Sequence, residues 1–357
     1  AFSPWIHYPL TIKDGTGSLS INIEFKNGKL KEGGSTFSVQ NLNANTIDNS
    51  KQGLIFNDIS GEINYKLIDD DIDIILDNLF LTTNSKLQFE DSAASIKYNL
   101  KDNQINKLTL TVDRFDLGSV KEISNQFLPE EHRANVIIND LSAKGEIDDL
   151  KLKWHKTKDK EEPSLKLKAK LLEIEINEFE NFPGLKNITG EIKIENEKGI
   201  IRSVSRNLII TKKDVFRAPL KLNQFSGSVN WDNEKYSFND VAVKDDYMEA
   251  ILNGTVKYES LDNLYVDINL DSPSLSIPNF KVYYPKQIGK DGLGWLDTSL
   301  LKGVAQNTNI QMKGKVSDFP FIDENNQPDL SKGYFRVRSS VKDSFIEYGD
   351  NWPEMEK

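Results

Sequence analysis

The stretch Leu165-Lys166-Leu167-Lys168-Ala169-Lys170-Leu171 alternates apolar and basic residues without a break, and Leu172-Glu173-Ile174-Glu175-Ile176 follows it in the opposite phase. Period-two alternation places every second side chain on one face of an extended backbone, so this stretch reads as a strand with one apolar and one wet face. The adjacent Leu171 and Leu172 reverse the phase, which requires a β-bulge or a change of strand at that point. The same alternation recurs in Ile21-Asn22-Ile23-Glu24-Phe25, Ile72-Asp73-Ile74, Leu108-Thr109-Leu110-Thr111-Val112 and Ile192-Lys193-Ile194. Turn signals fall between the runs: Lys26-Asn27-Gly28-Lys29, Lys31-Glu32-Gly33-Gly34, Asp69-Asp70-Asp71, Lys101-Asp102-Asn103 and Glu197-Lys198-Gly199. Together they predict a meander of hairpins, and strands with one wet face belong to antiparallel rather than buried parallel sheet.

Helices are few. Ser119 with Glu122 forms a capping box ahead of Val120, Ile123 and Phe127, with Pro129 as the stop, and predicts a helix near 119–128. Leu293, Leu296 and Leu300 predict a second over about Gly292 to Lys302, ended by Gly303. Three segments share a pattern ending in Ser or Thr, Gly, any residue, then Ile or Val: Phe56 to Ile63, Leu185 to Ile192 and Leu222 to Val229. They suggest one repeated hairpin geometry around Gly61, Gly190 and Gly227, although any strand-rich chain can reuse such a turn. The spacings of these glycines are unequal, so there is no strict solenoid period. No Pro- or Ser-rich linker divides the chain.

Composition removes several classes of function. The 357 residues carry 45 Lys plus Arg against 55 Asp plus Glu, a net charge of −10, with the signs interspersed. Without a basic stripe there is nothing to neutralise a phosphate backbone, so nucleic acid is not an expected partner. The absence of cysteine removes disulfides, thiol nucleophiles and Cys-ligated metals. No stretch approaches the ~20 apolar residues of a membrane-spanning helix. His7, His132 and His155 are far apart and lack patterned partners for a metal or a catalytic triad. Asp69-Asp70-Asp71 with Asp73 lacks the spacing of a calcium loop, and Gly289, Gly292 and Gly294 lack the Gly-Lys-Ser/Thr of a phosphate loop. No catalytic residue, metal site or cofactor is expected.

What remains is a large supply of one-sided strands and no long helices to cover them. Leaving an apolar face in water costs roughly 25 cal/mol per Å², so a facing sheet, a partner or a ligand must cover it. Strands crossing a trough would advance it by about 4.8 Å each, so about 20 of them give a trough on the order of 100 Å long, suited to acyl chains. A pair of β-sandwiches would show the same alternation, and periodicity alone favours it.

The C-terminal third alters that balance. Tyr283-Tyr284-Pro285-Lys286, Gly294-Trp295-Leu296-Asp297, Leu300-Leu301-Lys302-Gly303, Met312-Lys313-Gly314-Lys315-Val316-Ser317-Asp318-Phe319-Pro320-Phe321, Gly333-Tyr334-Phe335-Arg336-Val337 and Tyr348 with Trp352-Pro353 occur in this order. The ordered set resembles the AsmA-like proteins of Gram-negative bacteria, in their YhdP branch. Phe182-Pro183-Gly184-Leu185, Val215-Phe216, Pro219-Leu220 and Gly227-Ser228-Val229-Asn230-Trp231 resemble the same family more loosely; Tyr284 stands where Leu is commoner.

The resemblance implies an elongated, curved, all-β antiparallel sheet forming a U-shaped hydrophobic groove, tethered to the inner membrane and lying in the periplasm. Its implied task is to carry phospholipid toward the outer membrane as a bridge, with no enzymatic role. The chain would then be an internal segment, with the N-terminal membrane helix and the part that contacts the outer membrane outside it. Expected subdivisions are 1–160, a groove repeat over 161–280 and a family-specific block over 281–357.

Expected groove-lining residues are Ile21, Ile23, Phe25, Ile72, Ile74, Leu108, Leu110, Val112, Leu165, Leu167, Ala169, Leu171, Ile174, Ile176, Ile192, Ile194, Val266, Ile268 and Leu270. Pro285, Trp295, Leu296, Gly303, Asp318, Phe319, Pro320, Phe321, Trp352 and Pro353 are expected to be structural, capping or sealing the groove. Two alternatives remain: a structural or adhesive β-sandwich protein without lipid, and a carbohydrate-active β-enzyme with paired carboxylates.

Overall fold

Alternation becomes strand throughout the computed structural model of the chain, which describes residues 10–26, 29–46, 54–68, 71–83, 88–99, 104–118, 121, 125, 133–156, 163–179, 182–258, 260, 263–288, 290–325, 327–346 and 355–356. The chain divides into two compact units, one of residues 1–172 with 192–196 and one of residues 173–191 with 197–357. The fold is all-β and antiparallel.

In the first unit, β1 (Leu10–Lys26), β2 (Lys29–Thr46), β3 (Leu54–Ile68), β4 (Asp71–Thr83), β5 (Gln88–Asn99), β6 (Gln104–Asp116) and β7 (Lys144–His155) each pair antiparallel with the next. The turn signals at Asn27-Gly28, Asp69-Asp70 and Asp102-Asn103 fall between these strands: Lys26 pairs with Lys29, Ile68 with Asp71 and Asn99 with Gln104. Lys31-Glu32-Gly33-Gly34 is different. It lies inside β2, where Gly33 makes room for the Tyr65 ring of β3.

β8 (Ser164–Ile176) and β9 (Gly184–Glu195) follow. The second unit continues with β10 (Lys198–Thr211), β11 (Leu220–Asp232), β12 (Lys235–Lys244), β13 (Met248–Tyr258), β14 (Leu264–Ser276), β15 (Leu300–Lys315), β16 (Gly333–Ile346) and the two-residue β17 (Met355–Glu356), again each paired with the next.

These strands bend in mid-course. Asn41, Asn78, Asp149, Glu173, Asn187, Asn207, Asp240, Asn307 and Asp343 all have φ between 47° and 63° inside strands. Asn and Asp tolerate this left-handed conformation better than most residues. Asn78, Asp240 and Asn307 coincide with register shifts, so they are β-bulges, which bend the strand that carries them and reverse its side-chain phase. The phase reversal at Leu171 and Leu172 is of this kind: β8 runs through it unbroken, with Glu173 at φ 50°.

Two expectations are corrected. Gly61, Gly190 and Gly227 do not lie in hairpin turns but in the middle of β3, β9 and β11. The shared pattern marks a place where a neighbouring strand comes close: a Cβ on Gly190 would lie 2.1 Å from the Arg202 carbonyl oxygen and 2.8 Å from the Ser203 Cα.

The second helix ends earlier than its Leu spacing suggests. It covers Lys290–Ser299, and Leu300 to Lys302 already belong to β15, where Leu300 pairs with Ile346 and Lys302 with Phe345. Gly303, at φ 120°, then sits at a strand irregularity rather than at a helix stop.

A helix without a clear sequence signal, α1 (Arg133–Leu141), leads into β7, and we call Lys290–Ser299 α2. Of the helix expected near 119–128, only Lys121 and Asn125 are described, both helical; Asn125 and Asn139 of α1 exchange amide hydrogen bonds at 2.7 and 3.3 Å.

Because the close approach at Gly190 involves backbone on both sides, Gly190→Ala should destabilise the protein by about 1–3 kcal/mol, as overpacking does. Urea unfolding followed by tryptophan fluorescence measures this, and an unchanged midpoint would show that β9 and β10 can part at no cost.

Candidate functional site

Residues directly opposite each other in an antiparallel ladder share a face of the sheet. In the first unit this turns isolated alternations into rows that cross seven strands. One row runs Ile23, Gly33, Tyr65, Ile74, Ile96, Leu108, Trp154, and the next Ile21, Ser35, Ile63, Leu76, Ala94, Leu110, Leu152. Six inter-strand steps give a row about 29 Å long. An acyl chain spans about half of the ~30 Å hydrocarbon core of a bilayer, so the row is long enough for one.

Expected lining residues Ile21, Ile23, Ile74, Leu108 and Leu110 stand in these rows. Phe25 (opposite Leu30), Ile72 (opposite Leu67) and Val112 (opposite Leu150) continue the same alternation.

Cover on this face is uneven. Val112 and Leu150 are buried, Tyr65, Ile74, Leu108 and Trp154 are half-buried, and β1 is bare: Leu19, Ile21, Ile23 and Phe25 remain 59%, 52%, 45% and 64% exposed. Four consecutive inward positions of β1 therefore present large apolar side chains with little protein over them. On β8 and β9, Ala169, Leu171 and Ile174 are buried, while Leu165, Leu167, Ile176, Ile192 and Ile194 are half-buried. The alternate residues carry charge and pair across strands, as in Arg114 with Asp148 at 2.7 and 2.9 Å and Lys97 with Asp71 at 3.0 Å. Exposed pairs of this kind add little stability, typically under about 1 kcal/mol each, but keep this face wet.

The second unit builds equivalent rows. Ile201, Val229, Phe238, Gly254, Ile268, Met312 and Phe335 form one; Gly199, Trp231, Tyr236, Val256, Val266, Gly314 and Gly333 form another; Val241, Leu252, Leu270, Ile310 and Val337 form a third. Here protein covers the centre. The segment between β14 and β15, residues 277–299, lies on the rows as a strap. Tyr284, Ile288 and Leu296 pack with Tyr258, Leu264, Val266 and Met312, and Ile268 packs against the same cluster. Phe280 and Tyr283 pack on a second cluster containing Met248, Ala250 and Leu275, with Leu270 and Ile310 beside it. Val266, Ile268 and Leu270 therefore lie beneath protein rather than in the open.

Phe319 and Phe321 complete the cover, their rings edge to face at 5.9 Å, with Phe319 also edge to face with Phe335 at 5.4 Å. The Phe321 ring occupies the pit left by the opposed Gly314 and Gly333; a Cβ there would come within 2.6 and 2.9 Å of it. Asp318 is exposed, and its carbonyl accepts from the Phe321 amide at 2.8 Å. The intervening Phe319-Pro320 peptide is cis. Leu296 is buried and Pro285 bridges Phe216, whereas the Trp295 side chain, Trp352 and Pro353 lie outside the described residues.

A polar clasp fastens the strap, and no sequence pattern announced it. The loop between β10 and β11 supplies it. Lys212 reaches Glu178 at 3.0 Å and Asp214 at 3.1 Å, and its ammonium stands 5.3 Å from the Tyr258 ring centre. Tyr258 donates its hydroxyl to Asp214.

From the strap, Gln287 donates to the Asp214 carbonyl at 2.6 Å, Lys286 donates to the Lys213 and Val215 carbonyls at 2.8 Å each, and Asp297 accepts twice from Arg217 at 2.9 and 3.0 Å. Tyr283 donates to Asp245. The only sequence signal is a charged Lys212-Lys213-Asp214 between apolar flanks, which looks like any loop.

Burial opposes the charges on Lys212 and Asp214, but the hydrogen bonds to Glu178 and Asp214 outweigh it for Lys212, and those from Tyr258 and Lys212 outweigh it for Asp214. Lys212 thus holds its proton above the usual lysine range and Asp214 stays ionised below the usual carboxylate range. Burial pushes the Tyr284 phenol up to about 12.

Among the described residues no three acidic or histidine side chains converge as a metal site would require, and no helix is long and apolar enough to cross a membrane.

These features define a class: an antiparallel β-protein whose sheet presents one apolar face per unit, bare at β1 in one and strapped over in the other. Within that class the chain belongs to the YhdP family, whose family model, described as YhdP protein, matches residues 1–357. No curated protein and no solved structure matches it.

The clasp sets a pH window. A depressed carboxylate stabilises the fold above its unfolded pKa of 3.8 and loses that contribution as pH falls through the lower folded value. A raised lysine stabilises below 10.5 and loses its contribution above that. Stability of the second unit should be flat near neutrality and fall at both extremes. Lys212→Met, which leaves Glu178 and Asp214 without their cation, should cost roughly 3 kcal/mol at neutral pH. Urea titrations of both proteins across pH test this, and equal stability of the variant at neutral pH would contradict it.

Proposed function

We propose that this chain is a stretch of a lipid-carrying groove whose apolar rows hold the acyl chains of phospholipid between the inner and outer membranes, in the periplasm. The observation that carries the reading is the bare apolar face of β1, where Leu19, Ile21, Ile23 and Phe25 stand exposed at successive inward positions. Monomeric soluble proteins seldom leave such a contiguous surface unless something binds there. Membership of the YhdP family supports the same reading.

The driving force is burial of acyl surface against side chains that offer no directional hydrogen bonds, so tails decide binding and head groups remain in water. Nothing in this task needs a catalytic group or a cofactor, and the protein acts as a carrier rather than an enzyme. Anchoring to the inner membrane and contact with the outer membrane belong to the same proposal. A closed sandwich accounts less well for the chain, because its inner face would be covered at β1 as elsewhere.

Lipid contact is tested with a photo-reactive amino acid at Ile23 and, separately, at its neighbour Asn22, which points to the other face. Ile23 should trap phospholipid in cells and Asn22 should not; equal labelling at the two positions would sink the proposal. Ile21→Asp with Ile23→Asp should leave stability within about 0.5 kcal/mol, since both positions are exposed, yet reduce phospholipid transfer severalfold. Full transfer by that folded variant would remove β1 from the path.

A further inference from the structure

We infer that the 277–299 strap of the second unit is a displaceable gate: closed, it occupies the apolar rows that acyl chains would use, and the loop at 212–217 latches it. The inference rests on the lipid-groove reading and adds its regulation.

The first ground is what the strap covers. Phe280, Tyr284, Ile288 and Leu296 sit on Val266, Ile268, Leu270 and Met312, which belong to the same crossing rows that stay open elsewhere in this unit. Phe335 and Val337 of β16, in register with Met312 and Ile310, are still 40% and 49% exposed. The strap thus takes the place of a ligand over part of a face that is otherwise ligand-sized and apolar.

The second ground is how the strap is held. Its apolar contacts have no directional component, whereas its fixed position comes from a few polar contacts, most of them to the 212–217 loop. These are Arg217 to Asp297, Lys286 to Lys213 and Val215, Gln287 to Asp214, and the bridge between Phe216 and Pro285, with Tyr283 to Asp245 and the Ile277 amide to the Gly303 carbonyl elsewhere on the strap. Arg217 and Asp297 remain partly exposed, which makes this pair the accessible end of the latch.

The third ground is the strap's own weakness. Its helix α2 has only ten residues and contains Gly292 and Gly294. Each internal glycine costs about 1 kcal/mol against alanine, and a Cβ at Gly294 would meet nothing within 4 Å, so packing does not demand glycine there. A short helix with an unforced glycine depends on the surface beneath it for its order, which places it at the low end of local stability.

The chain's lack of cysteine makes the test clean. Phe216→Cys with Pro285→Cys in the intact protein would join latch and strap by a disulfide at an existing antiparallel bridge. A photo-reactive residue at Ile268 reports lipid under the strap, and one at Ile23 reports lipid in the first unit. Oxidation should lower phospholipid capture at Ile268 at least tenfold and reduction should restore it, with capture at Ile23 unchanged.

Equal capture at Ile268 in both states overturns the gate. So does capture at Ile23 with none at Ile268 in either state, since the strap would then be permanent cover. Loss of capture at Ile23 as well overturns the groove reading itself.

Hydrogen exchange gives a second measure that does not depend on the disulfide. Arg217→Ala should speed exchange of amides in 280–299 at least tenfold while β13 to β15 keep their rates, and Gly294→Ala should slow it. Exchange of the strap only in step with those strands would overturn the inference.

Discussion

An antiparallel sheet with one wet face has one apolar face left over, and everything else in this protein depends on what covers it. The wet face is settled locally by cross-strand ion pairs and water. The apolar face is not, because burial is non-directional and scales with area, so any apolar material of the right extent will serve. The first unit leaves the requirement partly unmet at β1. The second meets it with its own chain, through the strap and the Phe319 to Phe321 turn.

Bulges bend the strands that carry them, so that face does not run flat along those strands. A flat sheet of long strands would present its apolar side to any other sheet and would pair or aggregate. Asn and Asp residues in the left-handed region occur inside several of the strands, and at Asn78, Asp240 and Asn307 they coincide with bulges that reverse the side-chain phase partway along the strand. Apolar positions are thereby kept on the inside of the bend in both halves of the strand, which strict alternation through a bend would not achieve. The doubled Leu171-Leu172 is the sequence trace of that device, and Glu173 at φ 50° is its backbone form.

Much of this is legible in the amino-acid sequence, because period-two alternation is a local signal and antiparallel neighbours are consecutive in the chain. The bulge at Leu171 and Leu172, and three of the hairpins, follow from residues within a few positions of one another. Sequence and structure part where a residue answers to a distant neighbour. Gly190 looks like turn chemistry but answers to Arg202 and Ser203 on the next strand, and Gly33 answers to Tyr65. Leu300 fits the helical spacing, yet its pairing with Ile346 draws it into β15. The clasp is hidden for the same reason: Lys212, Glu178 and Gln287 lie far apart in the chain, and no local pattern links a loop lysine to a strap glutamine.

The division of labour between apolar strap and polar clasp follows from the energetics of each. Acyl chain and strap side chains gain about the same free energy per unit of apolar area on that face, so contact with the rows alone does not choose between them. The choice falls to interactions that one occupant has and the other lacks. The strap alone has Arg217, Lys286 and Gln287 to fix it in place, and it alone must give up conformational entropy to be ordered. A few hydrogen bonds worth about 1 kcal/mol each would then be enough to set which occupant prevails, and in the proposed gate the residues that decide passage of an apolar ligand would be polar ones that never touch it.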